Sequence, residues 1–131
     1  MSGPLALVGG AEWQPGCTFD AALLKASGGA DIVVLATAAA YEHPDRAVAA
    51  AEQYFAPLGG RVRGLDVLRR PDALDDANVD AVRKARFLYI ADGSVMHLRS
   101  VLMHSPLWDA IVAAWHDGAV LAGSGAGAMV L

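Results

Sequence analysis

The chain has 131 residues, 55% hydrophobic and 18% charged, with a mean hydropathy of +0.37, a formal net charge of −4 and a sequence pI of about 5.4. That length suits one domain with a sizeable core and is too short for two, while the negative balance and scattered arginines exclude the basic footprint of a nucleic-acid or anionic-membrane binder. Cys17 is the only cysteine, which rules out an intramolecular disulfide and a CxxC zinc site.

The predicted elements alternate between short apolar runs and helix-period segments. Leu5–Val8 (LALV) is a strand that runs into Gly9 and Gly10, and a helix over 18–27 follows. Asp31–Thr37 (DIVVLAT) is the second strand. A helix over 44–57 starts at Pro44 and breaks at Pro57, with Val48, Ala51 and Phe55 inward. After the strand Val62–Leu68, the polar stretch Arg69–Asp76 reads as a surface turn entering a helix over 75–85. Arg86–Asp92 is the fourth strand, followed by helices over 95–103 and 106–117. In the second of these, Ser105 can cap, Pro106 fits the first helical position, and Leu107, Ile111, Ala114 and Trp115 fall at core spacing before Gly118. Ala119–Gly123 is the fifth strand. Strand and helix in alternation predict an α/β three-layer sandwich with a mostly parallel, flavodoxin-like or Rossmann-like sheet of about five strands, one domain over 1–131. The N-terminus, MSGPLALVGG, has no basic n-region, and no segment reaches the roughly 18 apolar residues of a membrane span, so a cytoplasmic protein without a membrane partner is expected.

In open α/β sheets the binding crevice lies beyond the carboxyl ends of the strands. Four such ends are candidates: Gly9–Trp13, Ala36–Pro44, Ala91–Ser94 and Gly123–Ala128. The last, in LAGSGAGAMVL, is a strand, a glycine-flanked turn and an apolar helix start. That is the layout of a nucleophile elbow, in which a central side chain is thrust out and N–H groups at the helix start stabilise an oxyanion. A GxSxG template finds no register, because Ser124 lies one position off centre. A phosphate loop is the weaker reading: the dinucleotide fingerprint belongs after the first strand with an acidic residue downstream, so no cofactor is expected. The plainest alternative is that the small residues pack a helix onto the sheet.

Taken together, LVGGAEW, YIADGSVMHLRSVL and LAGSGAGAMVL resemble, in order and spacing, the cyanophycinase and dipeptidase E family of serine peptidases, within the class I glutamine amidotransferase-like fold. The resemblance implies hydrolysis of peptide or isopeptide bonds by a Ser/His/acid triad in intact relatives. It also implies an elbow reading Gly, Ser or Thr, Ser, Ala, Gly, Ala. Laid on this chain, Gly123 matches the first glycine, Ser124 the Ser/Thr position, and Ala126, Gly127 and Ala128 the tail. Gly125 then occupies the nucleophile position, where it has no side chain to attack with. The oxyanion donors implied are the backbone N–H groups of Gly93 and Ala126. Asp92 stands where the family carries a glycine and places a carboxylate where negative charge should develop.

Ser124 is a weak replacement nucleophile and a better turn residue. Glu12, Asp92 and Ser94 are candidate substrate contacts, and Tyr41, Glu42 and His43 could line the pocket. A metal site from Glu12, Glu42 and His43 lacks ligand spacing, so none is expected. His97, His104 and His116 read as helix-flank or helix-end residues, Cys17 as an ordinary thiol, and Trp13, Trp108 and Trp115 as packing residues. The family's His and acidic partners follow the elbow, so the chain is expected to be the N-terminal part of a longer domain, truncated after the elbow and inactive. Its partners would be a small peptide or amino-acid-like ligand, a second copy, or a complementing C-terminal fragment. The alternatives are a non-catalytic binding pseudoenzyme and a glutamine amidotransferase-like subunit completed by a partner.

Overall fold

The computed structural model describes residues 3–8, 19–29, 31–39 and 43–130. The five predicted strands are present as β1 (Leu5–Val8), β2 (Asp31–Leu35), β3 (Arg61–Leu65), β4 (Phe87–Ile90) and β5 (Val120–Ser124). They form one sheet in the order β1-β5-β4-β2-β3, and every described pairing is parallel. The helices are α1 (Phe19–Ala26), α2 (Pro44–Phe55), α3 (Arg70–Ala73), α4 (Asp76–Lys84), α5 (Val95–Leu102), α6 (Pro106–His116) and α7 (Ala126–Val130).

A parallel sheet is covered on both faces, so its central strands are apolar at consecutive positions. Every residue of β4 and β5 is buried, whereas the edge strand β3 buries only Leu65. Strand periodicity divides this burial into two cores. Ile32, Val34, Phe87, Tyr89, Val120 and Ala122 face Leu24 of α1 and Ala51 and Phe55 of α2. Val33, Leu35, Leu88, Ile90 and Leu121 face the other way, onto Val82 of α4, Leu98 and Leu102 of α5, and Leu107 and Ile111 of α6. The result is the expected three-layer α/β sandwich.

The sequence signals at α6 operate as read. The Ser105 hydroxyl accepts the Trp108 N–H at 3.0 Å and donates to the Leu102 carbonyl at 2.7 Å, Pro106 opens the helix, and Gly118 follows with φ of 103°. Trp115 and Trp108 pack half-buried against the core, and the Trp115 indole N–H donates to the Gly3 carbonyl at 2.8 Å.

Strands β3 and β4 end earlier than expected, at Leu65 rather than Leu68 and at Ile90 rather than Asp92, and two further stretches differ. The turn predicted at Arg69–Asp76 contains the one-turn helix α3, which fully buries Ala73, and the Asp72 carboxylate accepts the N–H groups of Leu68 and Arg69 at 3.0 Å each. Strand β2 stops at Leu35 rather than Thr37. Thr37–Ala39 form a 3-10 turn, closed by the Ala39 N–H donating to the Ala36 carbonyl at 3.0 Å, and all three residues are buried. Alanine and threonine suit a strand end and a tight buried turn alike, so only tertiary contact decides between them.

Two consequences for stability can be measured in urea. Ser105→Ala removes a buried cap and is expected to cost about 1–2 kcal/mol. The Thr37 hydroxyl is buried and has no hydrogen-bond partner among the described residues. Thr37→Val is accordingly expected to be neutral or to stabilise by about 1 kcal/mol.

Candidate active site

Strands β2, β4 and β5 are consecutive neighbours in the sheet, so the loops at their carboxyl ends meet. The loop after β4, residues 91–94, lies between the turn after β2 and the elbow after β5. On one side the Ser94 N–H donates to the Ala38 carbonyl at 2.7 Å and the Ala91 N–H to the Leu35 carbonyl at 3.0 Å. Gly93 sits so close to this turn that a side chain there would overlap the Ala38 carbonyl.

On the other side the register pairs Ile90 with Gly123, and Asp92 and Gly125 each follow two residues later. Gly125 has φ of +51°, the left-handed region in which a side chain is strained. It forms the sharp turn between β5 and α7. The flanking glycines serve packing instead: a Cβ on Gly123 would come within 2.7 Å of the Gly127 backbone, and one on Gly127 would overlap the Ile90 carbonyl. The packing reading of the small residues therefore holds for Gly123 and Gly127, while Gly125 answers to the turn.

The electrostatic centre of the site is Asp92. Its Oδ1 accepts the Ala126 N–H at 2.7 Å and the Gly93 N–H at 2.8 Å. These are the two backbone donors that the resemblance assigns to an oxyanion hole, and they converge on one oxygen, as such a hole requires. The oxygen they hold belongs to the protein. A Cβ on Gly125 would overlap the same carboxylate.

The other predicted residues are dispersed. Ser124 ends β5, paired with Val8, and is fully buried; by strand alternation it shares the sheet face of Ala122, away from the elbow apex. That burial separates it from the place where a nucleophile would stand. Ser94 caps α5, its hydroxyl accepting the His97 N–H at 3.2 Å, and is exposed at the rim of the site. His97 makes a 2.6 Å ring contact with the Leu68 carbonyl after β3. His43 and His104 are exposed residues with positive φ, at the start of α2 and after α5, and His116 lies against Trp115 at the end of α6. Glu12, Trp13, Cys17, Tyr41 and Glu42 lie outside the described residues. Among the described residues no three His, Cys, Asp or Glu side chains gather as metal ligands, and no helix is long and apolar enough to cross a membrane.

A separate cleft of about 680 Å³ opens between β2, β3 and α4. Four of its five charged side chains are ion-paired, Arg61 to Asp31 at 2.9 Å and Lys84 to Asp80 at 3.0 Å, and solvent-exposed, as expected of a solvated surface groove.

Because Gly127 sets how closely α7 approaches β4, Gly127→Ala should be poorly tolerated. A loss of about 1–3 kcal/mol is expected in chemical unfolding, against a change within about 0.5 kcal/mol for Ala at exposed Ser100.

Comparison with known proteins agrees with this architecture. The crystal structure of a peptidase from an acI-B1 Actinobacterium superposes with a TM-score of 0.91 at 32% identity, covering 100% of this chain and 57% of that one. A peptidase E candidate protein from Listeria monocytogenes EGD-e superposes with a TM-score of 0.71 at 19% identity, covering 99% of this chain and 62% of that one, a likeness of fold. The chain thus spans a little under two thirds of either structure. No relative is found among curated proteins. The sequence matches peptidase family S51 over residues 5–131, from the first strand through the elbow, and the chain belongs to that family.

Proposed function

We propose that the chain is the N-terminal part of a serine-peptidase-type hydrolase domain whose serine chemistry is silent, its crevice serving small peptide or amino-acid-like ligands. The family match and the structural neighbours support a peptidase-like hydrolase domain. The observation that carries the silence is at the elbow. Gly125 offers no hydroxyl, and both N–H groups that would stabilise a tetrahedral oxyanion are held by the Asp92 carboxylate. Peptide hydrolysis by this route needs an attacking oxygen, a base to deprotonate it and donors for the developing charge. The first is missing and the last are engaged.

The chain covers 57% and 62% of the two neighbouring structures, and the remaining triad groups of such a domain would lie in the part it does not span. A second reading, a non-catalytic binding module, draws support from the same carboxylate. An acidic oxygen beyond the carboxyl ends of the strands attracts a ligand ammonium where an oxyanion hole would attract a carbonyl. The glutamine amidotransferase-like alternative has no corresponding observation in its favour.

The test uses the purified chain with a fluorophosphonate probe and with acidic dipeptides. No covalent adduct and no turnover are expected, while dipeptide titration should move the backbone amide resonances of Gly93, Ser94 and Ala126. An adduct or turnover in the unmodified chain would overturn the silent reading, and unmoved resonances would remove the binding one.

A further inference from the structure

We propose that Asp92 and Gly125 are an interlocked pair, with the Asp92 carboxylate the resident occupant of the oxyanion pocket, and that this carboxylate and any side chain at 125 exclude one another. The inference rests on reading the turn after β5 as an elbow with glycine at its apex, and it adds a second obstacle to chemistry there. Three observations converge. Asp92 and Gly125 each lie two residues beyond Ile90 and Gly123, the last paired residues of the β4–β5 ladder. One carboxylate oxygen takes both the Gly93 and the Ala126 N–H. The volume that a Cβ on residue 125 would fill is the volume of the carboxylate group itself.

The absence of a side chain at 125 is therefore what admits the carboxylate, and the carboxylate in turn accepts from both amides. A serine introduced at 125 would have to evict Asp92 before its hydroxyl could be placed, and the eviction would break both hydrogen bonds. A ligand oxyanion faces the same competitor. The left-handed strain of a serine at φ +51° is a separate cost that does not depend on Asp92, so it cancels when the same substitution is compared in two backgrounds.

The experiment is a double-mutant cycle on the chain, combining Gly125→Ser with Asp92→Gly and reading thermal unfolding midpoints. Gly125→Ser is expected to lower the midpoint about twice as far or more in the Asp92 background as in the Asp92→Gly background. In parallel, the Ala126 and Gly93 amide protons are expected to move upfield together in Gly125→Ser, as charge-assisted bonds are lost. Should Asp92→Gly fail to fold, Asp92→Asn, which keeps the shape and removes the charge, is read by the same two resonances and must move them in the same direction. Equal midpoint losses in the two backgrounds, or amide resonances that stay in place, overturn the interlock. A fluorophosphonate adduct on the unmodified chain would sink the silent-elbow reading and leave the measured coupling untouched, so the two fail separately.

Discussion

The arrangement of the site follows from the burial of β4 and β5 on both faces. Two cores press on these strands from opposite sides, and α5, α6 and α7 must all find room over one of them. Only small residues let α7 come down onto the carboxyl ends of β4 and β5, and Gly123 and Gly127 meet that requirement through backbone contacts that a Cβ would prevent. Once α7 is seated, the Ala126 N–H is committed to a position above the end of β5, pointing into the gap next to β4. Close packing of the sheet thus fixes one donor of the pocket before any consideration of chemistry.

What fills the gap is decided locally. The loop after β4 is held from its far side by the Ala38 carbonyl, which fixes where residues 92–94 run. A carboxylate at 92 then has two amides within reach. Under the proposed elbow reading, a carboxylate at 92 takes the two donors that a transient oxyanion would use. Since Asp92 is exposed, its contribution is better described as occupancy and geometry than as a large electrostatic stabilisation.

Much of this was legible in the sequence. The strands with consecutive apolar residues, the Ser105 and Pro106 start of α6, and the elbow with Gly125 at its apex all lie in local patterns, where a few neighbouring residues carry the signal. Asp92 was legible as an anomaly, a carboxylate at a glycine position, but its bond to Ala126 was not. That contact joins residues 34 apart and depends on the register of two strands. The early end of β2 and the helix α3 escaped for a related reason. Ala36, Ala38 and Ala39 carry no turn signature, and Ala73 is drawn into the core from a stretch whose neighbours are mostly charged. The separation of Ser124 from the apex was legible in outline from its offset, and strand alternation gives it a direction.

The position of β1 has a consequence for how the molecule assembles. Its described strand partner is β5, with Leu5 beside Leu121, and the approach to it is tied by Gly3, which exchanges hydrogen bonds with Trp115 across 112 residues. The first described strand to leave the ribosome thus waits for the last, and its pairing closes the longest loop in the sheet. Because β5 also carries the elbow, one strand joins the edge of the sheet to the pocket. The quenching or shift of Trp115 emission as Gly3 docks would time that closure.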